Sequence, residues 1–384
     1  MNLSVERRST FFREKIYLVP SFSPKVVRGL ISKKQKKQEY VMKKVMLICA
    51  LFIFGCSDNM QRSFNFNYSI SLEPTNNKKL ELWVPIPQSS EVQTINNIKI
   101  DADGLDYTIE DEKLHGNKYL YINQKSGISA KKNILISFDV NRFEHQNVEY
   151  DNVEPKNYLG AYSVVPTGPF FSKIIEKNNL AKSNVRGIYD YVLSGMHYGK
   201  PKEIGDTYYS DPWLSAEGQY GDKEVSRDKV VSLYKKAKSQ KGNYTFGNGN
   251  SVYACDIGVG NCTDYHSYFL SLSRTLQVPT RFHMGFTIPQ GEQGKIDGYH
   301  CWADYYEEGK GWTPVDISEA DKAPEKKNYF FGTATENRLE MMVGRDFDLK
   351  GYNQGKVNLF IYPLLEIENI ESKSFTKSFS YKNL

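Results

Sequence analysis

The stretch GNCTD at 260–264 is followed by YHCWA at 299–303 and GWTPVD at 311–316. The three stretches contain a Cys, a His and an Asp in that chain order. A thiol nucleophile needs these partners, because a base must take the thiol proton and a carboxylate must orient the base. The sequence therefore predicts a catalytic triad that consists of Cys262, His300 and Asp316.

The residues around the triad predict where each member lies. Apolar spacing over 266–276 is typical of a buried helix. This places the Cys262 sulfur at a helix N-terminus, where the peptide dipoles favour a thiolate and free N–H groups can hold an oxyanion. His300 and Asp316 lie on two predicted strands joined by a tight turn, so cross-strand pairing can bring them together. His300 would then act as general base and later as general acid.

The charge distribution argues against nucleic-acid binding. The 384-residue chain has a net charge of +5, but residues 1–44 alone carry 12 Lys or Arg and only three acidic residues. The remainder is therefore mildly acidic, and no basic surface for nucleic acid is expected. Aromatic residues make up 14% of the chain, which is ample for a sizeable core.

The segment MKKVMLICALFIFGC at 42–56 is typical of a bacterial lipoprotein signal peptide. Two lysines precede an apolar run that is too short to span a bilayer, and Cys56 follows a small residue. The sequence predicts lipidation of Cys56 and a lipid-anchored location in the cell envelope, on the periplasmic or outer-membrane face. A plain buried hydrophobic segment is the alternative. Residues 1–41 would precede the signal and are interpreted as a non-native or disordered extension.

Residues 62–150 show the period-two alternation of half-buried strands. Strands are predicted at 64–72, 80–85, 94–100, 118–123 and 133–140. Their number and spacing predict a β-sandwich domain. His115 and His145 are expected to be exposed turn or strand residues rather than ligands.

The rest of the chain mixes helices and strands. Helical patterns cover 172–196, where Ser183 is a candidate cap, and 227–240. Strands are predicted at 278–288, 299–306 and 312–316, with closing strands at 358–368 and 375–381. The stretch 290–298 is predicted to be a glycine-rich loop.

A known family shares these motifs. The string CDIGVGNCTDYH at 255–266, then VPTRF at 278–282 and the His and Asp stretches in the same order, resembles the transglutaminase-like superfamily over roughly 240–350. The resemblance implies an α+β chain with a papain-like, cysteine-protease-type core at 172–350. The β-sandwich at 62–150 would precede this core, and closing strands and a tail at 351–384 would follow it.

The resemblance also implies the chemistry. Cys262, His300 and Asp316 match the family's triad position by position. The implied reaction is acyl transfer from an amide or peptide, through a thioester, to an amine or to water. No cofactor and no metal are implied.

One position departs from the family. Related bacterial proteins tend to have Trp in the loop before the motif, where this chain has Phe246. A Phe side chain cannot donate a hydrogen bond to an oxyanion. Tyr244, Trp213 or a backbone amide would have to serve. His266 is expected to support the site or pack beside it, and Asp264 is expected to cap the helix.

Several alternatives stay open at this stage. Cys255 and Cys301 could form a disulfide in an oxidising compartment. A zinc site is the rival use of ligand-type residues near the motif: Cys255, Cys262, His266, His300 and Cys301.

The sequence predicts an envelope-anchored cysteine acyl-transfer enzyme that acts on peptide or protein substrates. It is expected to be a hydrolase rather than a cross-linker. The alternative is a catalytically silent module that binds peptide or glycan as an adaptor. The sequence predicts membrane contact through the lipid at Cys56, no nucleic-acid partner, and nothing about oligomeric state.

Overall fold

The computed structural model describes residues 60–199 and 244–384. The described residues belong to one compact unit. Five sequence predictions lie outside the described residues: the 1–41 extension, the 42–56 signal segment, lipidation of Cys56, the role of Trp213 and the helix at 227–240. None of the described helices is long and apolar enough to cross a membrane.

The described residues form sixteen strands and five α-helices. The strands are β1 (Gln61–Leu72), β2 (Leu80–Ile86), β3 (Gln93–Asp101), β4 (Tyr107–Asp111), β5 (Lys118–Gln124), β6 (Lys132–Phe143), β7 (His197–Tyr198), β8 (Val259–Gly260), β9 (Thr280–Thr287), β10 (Gln293–Ile296), β11 (His300–Glu307), β12 (Gly311–Val315), β13 (Arg338–Val343), β14 (Leu364–Ile367), β15 (Ile370–Glu371) and β16 (Phe375–Asn383). The helices are α1 (Pro169–Lys177), α2 (Val185–Gly195), α3 (Ser251–Ile257), α4 (Cys262–Thr275) and α5 (Ile317–Lys322).

The first sheet is antiparallel and has the order β10-β16-β1-β6-β3. From Phe64 to Leu72, every second residue of β1 is buried, as the predicted alternation requires. Phe66 lies opposite Phe138 in this sheet, and their rings stack with centroids 5.3 Å apart. The sheet therefore has one apolar face, which is buried in the core.

The second sheet, also antiparallel, has the order β15-β14-β2-β5-β4. All of β2 is buried, so both of its faces are covered. The apolar residues of the two sheets belong to one hydrophobic core. The end of the chain returns to both sheets, because β16 pairs with β1 and β14 pairs with β2.

The third sheet, with the order β12-β11-β9-β13, carries the candidate site. Helix α4 packs on β9 and β11, and the other helices surround α4. A methyl group at Gly285 of β9 would lie 1.8 Å from the Leu339 carbonyl oxygen, so only glycine allows β13 to pair so closely. Helices packed on one antiparallel sheet beside two further antiparallel sheets make an α+β fold, as predicted.

The structure corrects several local predictions. The loop predicted at 290–298 contains β10, which pairs with β16. Asn184, rather than Ser183, caps α2, because its side chain accepts from the Gly187 N–H. His115 and His145 are half-buried rather than exposed.

Candidate active site

Cys262 occupies the first turn of α4 and is only 3% exposed. The cap of this helix is Asn261, whose side chain accepts from the Thr263 N–H. Asp264 completes a capping box by accepting from the Asn261 N–H at 3.0 Å. The predicted helix start is therefore present, and it places the sulfur at the positive end of the helix dipole.

The Asp264 carboxylate also fixes the loop that precedes the motif. It accepts from the backbone N–H groups of Gly247 and Gly249, each at 2.9 Å. Burial raises the pKa of Asp264 to about 7, although these N–H groups favour its charged form. A side chain at Gly260 would collide with Asp264, since its Cβ would lie 2.6 Å from the Asp264 Cβ.

His300 opens β11, and Asp316 follows β12 directly. The hairpin register pairs Ala303 with Val315, which brings the two triad residues to the same end of the sheet. The His300 Nε2 lies 2.7 Å from the Asp316 Oδ2, and both side chains are buried. Asp316 is also the cap of α5, because it accepts from the Glu319 N–H.

The Cys262 thiol and the His300 imidazole are close enough for each to shift the pKa of the other. Because Asp316 engages Nε2, Nδ1 is the ring nitrogen that remains for the thiol. Burial alone would lower the pKa of His300, but Asp316 outweighs it and raises the pKa to about 9. The pKa of Cys262 lies well below its usual range, chiefly because of the Cys301 thiol and then, against the effect of burial, because of His300. The three predicted residues thus meet and favour a thiolate–imidazolium pair.

Arg338 is a fourth member that the sequence did not reveal. Its Nη2 donates to the Asp316 Oδ2 at 2.6 Å, and its Nη1 donates to Thr287 at the same distance. Burial would raise the pKa of Asp316, but His300 and Arg338 hold it well below its usual range. Asp316 therefore stays ionised between two cations.

His266 connects the start of α4 to the backbone of Ile317, the residue that follows Asp316. Its Nε2 accepts from the Ile317 N–H at 3.0 Å, so the ring proton must lie on Nδ1, which contacts the Cys262 carbonyl oxygen at 2.7 Å. Burial lowers the pKa of His266, which keeps the ring neutral. The expectation that it supports the site fits these contacts.

Residues 214–317 match the model of the transglutaminase-like superfamily. The chain contains a transglutaminase-like domain. The match begins earlier than the motifs at 240–350 suggested, and it ends one residue after Asp316.

Two relatives resemble most of the chain. An uncharacterized protein of Haemophilus influenzae is 24% identical over 366 residues, with 83% of this chain and 89% of the relative covered. The crystal structure of a Cytophaga hutchinsonii protein proposed to be a cysteine protease has a TM-score of 0.50 at 10% identity, with 85% of this chain and 92% of that chain covered. This second likeness indicates a shared fold.

A third solved structure is more distant. The periplasmic domain of TgpA from Pseudomonas aeruginosa has a TM-score of 0.31 at 13% identity and covers 68% of this chain and 72% of that chain. At this level the likeness supports no inference about function or location.

Two positions considered for the oxyanion donor, Tyr244 and Phe246, lie in the loop at 244–249. The Tyr244 hydroxyl donates to Asp256 at 2.6 Å, so it is directed away from this role. The Phe246 side chain carries no donor. The side chain of Asn261 and its carbonyl oxygen engage the N–H groups of residues 263–265. The N–H of Cys262 itself is therefore the candidate donor from the first turn.

The alternatives for the cysteines find no support in the described residues. No disulfide joins Cys255 to Cys301. Within 60–199 and 244–384, no group of three or more His, Cys, Asp or Glu side chains could hold a metal ion. His266, one of the ligand types considered for zinc, has both ring nitrogens engaged by the backbone.

Charged residues of α5 border the triad on its more exposed side. The Glu319 Oε1 lies 4.0 Å from the His300 Nδ1 and 2.9 Å from the Lys322 Nζ. The Lys322 ammonium lies 4.0 Å from the centre of the Tyr198 ring. Sequence patterns gave no signal for these residues, because their position depends on how α5 follows Asp316.

Proposed function

We propose that this protein is an envelope-anchored cysteine acyl-transfer enzyme that acts on peptide or amide bonds through a thioester on Cys262. The observation that carries the proposal is the buried His300–Asp316 pair, joined at 2.7 Å, whose imidazole interacts with the Cys262 thiol at the start of α4. Water is proposed as the usual acceptor, which makes the protein a hydrolase rather than a cross-linker.

The residues have distinct roles in this reaction. The Cys262 thiolate attacks the carbonyl carbon, and the oxyanion that forms accepts from the Cys262 N–H at the helix start. His300 gives its Nδ1 proton to the leaving amine as the C–N bond breaks, which leaves a thioester. His300 then takes a proton from water, the hydroxide attacks the thioester, and the carboxylic acid and the thiolate are released.

The support from Asp316 is electrostatic. Its carboxylate fixes the imidazole so that Nδ1 faces the sulfur, and it stabilises the imidazolium. Arg338 holds the carboxylate in place from the other side. Glu319 and Lys322 lie beside His300, and we propose that they contact polar groups of the substrate.

The anchoring part of the proposal rests on the 42–56 segment. Cys56→Ala should release the protein from the membrane fraction, whereas Cys49→Ala should leave it bound. Mass spectrometry of the mature N-terminus should detect lipid on Cys56. A soluble wild-type protein would contradict the anchor without affecting the catalytic proposal.

The test of the enzyme is covalent labelling by a thiol-reactive probe that mimics an amide. We expect one adduct, on Cys262, in the wild type and in Cys255→Ala, and none on Cys262→Ala. Equal labelling of Cys262→Ala would overturn the proposal and favour the adaptor alternative. Adding a primary amine to the acylated enzyme then shows whether water or the amine is the acyl acceptor. A hydrolase releases mainly the free acid, whereas a cross-linker releases mainly the amide.

A further inference from the structure

A cavity of about 560 Å³ borders the third sheet, and none of the three triad residues lines it. Arg281 of β9 and Glu340 of β13 line it, together with residues of the connections at 88–91 and 115–117 and of the segment 150–158. Its volume falls within the range of roughly 300–1,000 Å³ that is usual for small-molecule sites. The cavity is therefore large enough for a small ligand.

The guanidinium of Arg281 is fixed by its neighbours and keeps one nitrogen free. The residue is only 3% exposed, and its guanidinium lies 4.1 Å from the centre of the Tyr150 ring and 4.3 Å from that of Trp312. Its Nε donates to the Asp304 Oδ1 at 3.0 Å, and its Nη2 donates to the Asp304 Oδ2. Among the described residues, Nη1 has no hydrogen-bond partner, and it is not closed off from solvent. This nitrogen can donate to an oxygen of a ligand.

Glu340 supplies the opposite charge at the same cavity. Its Oε2 lies 2.7 Å from the His283 Nδ1, whereas its Oε1 has no partner in the described part of the chain and is open to solvent. Burial would raise the pKa of Glu340, but His283 and Arg142 lower it, so the carboxylate is ionised. Arg281 and Glu340, both described, form no direct ion pair with each other. The Oε1 can therefore accept from a cationic group of a ligand.

The charges beside the cavity cancel, which restricts the kind of ligand that fits. Arg281 and His283 carry positive charge. Asp304 and Glu340 carry negative charge. A ligand with a single charge would leave one charge unbalanced beside these buried groups, which is costly. A ligand with both an ammonium and a carboxylate adds no net charge and offers each free atom an opposite partner.

We propose that this cavity binds a small zwitterionic ligand, an amino acid or a short peptide with free termini. The ligand carboxylate accepts from Arg281, and the ligand ammonium donates to Glu340. The rings of Tyr150 and Tyr158 line the same cavity and supply apolar wall. This inference goes beyond the proposed function, because the site does not use Cys262.

The experiment is isothermal titration calorimetry of the full-length Cys262→Ala protein, which cannot turn the ligand over through Cys262. The probes are alanine, alanyl-alanine, N-acetyl-alanyl-alanine and alanyl-alanine amide. We expect saturable binding of alanine or of alanyl-alanine. Because the N-acetyl form lacks the ammonium and the amide form lacks the carboxylate, each should bind roughly tenfold or more weakly than alanyl-alanine.

Two variants of the same protein test where the probe binds. Glu340→Gln removes the charge that faces the ammonium, so it should weaken alanyl-alanine roughly tenfold and leave the N-acetyl form nearly unchanged. Arg281→Gln should likewise weaken alanyl-alanine and spare the amide form. The control is Glu366→Gln, which changes a buried carboxylate that accepts from Asn353 and does not line the cavity. It should bind every probe as the parent protein does.

The outcomes are separate from those of the proposed function. Absence of saturable binding by both alanine and alanyl-alanine overturns the site, whatever the labelling of Cys262 shows. Binding that both blocked forms match, or that Glu340→Gln leaves unchanged, also overturns it. If Arg281→Gln does not fold, Glu340→Gln and the blocked peptides decide. A failure of Cys262 to label overturns the enzyme and leaves this site standing.

Discussion

Trp302 separates two buried histidines that have similar surroundings and different chemistry. The His283 ring stacks on it with centroids 5.5 Å apart, and the His300 ring with centroids 6.3 Å apart. Each histidine contacts a carboxylate that is also paired with an arginine. On one side the arginine and carboxylate are Arg281 and Asp304, and on the other they are Arg338 and Asp316.

The difference lies in the second ring nitrogen. His283 has a carboxylate on both sides: Glu340 lies 2.7 Å from Nδ1, and Asp304 lies 3.1 Å from Nε2 in an ion pair that is poorly aligned for a hydrogen bond. Burial lowers its pKa, but the two carboxylates outweigh burial and raise it. His300 meets a carboxylate on one nitrogen and keeps the other for a thiol. A histidine between two carboxylates is a fixed cation, whereas a histidine with one can exchange a proton.

Matched substitutions of the two histidines should give the largest effect. His300→Gln removes the base, so we expect probe labelling of Cys262 to slow by roughly 10⁴-fold. His283→Gln removes the buried cation that lies between Glu340 and Asp304 and should lower the free energy of unfolding by roughly 3–5 kcal/mol. Labelling per folded molecule should stay near the wild type. Loss of labelling in a folded His283→Gln protein would contradict the assignment of a structural role to His283 and a reactive role to His300.

Substitutions of the carboxylates that contact the two histidines should also differ, one in labelling rate and the other in stability. Asp316→Asn keeps the shape but loses the charge that orients and stabilises the imidazolium, so labelling should slow by about 10³-fold or more. Glu340→Gln changes the partner of His283 and should affect thermal stability instead. The rates should be measured at a temperature where circular dichroism shows both variants folded. Similar labelling rates in the two variants would contradict the assignment of Asp316.

Arg338 should set the upper pH limit of activity. Its charge lowers the pKa of His300. Arg338→Gln should therefore move the basic limb of the labelling profile to higher pH, by on the order of one pH unit. Arg186→Gln, which changes a partly exposed cation, is the control and should leave the limb in place. A downward shift in Arg338→Gln would mean that Arg338 acts in another way.

The smallest expected effect is a pH dependence of stability at His283. Its folded pKa is raised, so its stabilising contribution is full below the unfolded value of about 6.5 and is lost as pH rises through the folded pKa. The difference in unfolding free energy between the wild type and His283→Gln should therefore decrease above that pH. Denaturant titrations at several pH values measure this difference in unfolding free energy. A difference that grows with pH would contradict the assignment of His283 as a buried cation.

The grouping of Cys262, His300 and Asp316 could be predicted from the sequence because each lies in a short, distinctive string. Cys262 begins a helix with its own cap, and a hairpin with a tight turn brings Asp316 to His300. These relations depend on local spacing, which a sequence shows directly. The same reasoning correctly predicted the alternating strand β1 and the α+β class.

The residues around the triad could not be predicted in this way. Arg338 reaches Asp316 because β13 pairs with β9 across a bulge, and no pattern in the sequence specifies that pairing. The contact of Thr263 with Cys301 depends on how α4 packs on β11. In the same way, the return of β16 to β1 joins residues more than 300 positions apart. Such contacts follow from tertiary packing rather than from local propensity.

We propose that His300 helps to keep Cys262 as a thiolate at neutral pH. The direct measurement is the rate of Cys262 alkylation in the wild type and in His300→Gln across the pH range. We expect wild-type reactivity to persist well below pH 8, whereas His300→Gln should need a higher pH to reach the same rate. A wild-type profile like that of free cysteine, with a midpoint near about 8.5, would contradict it.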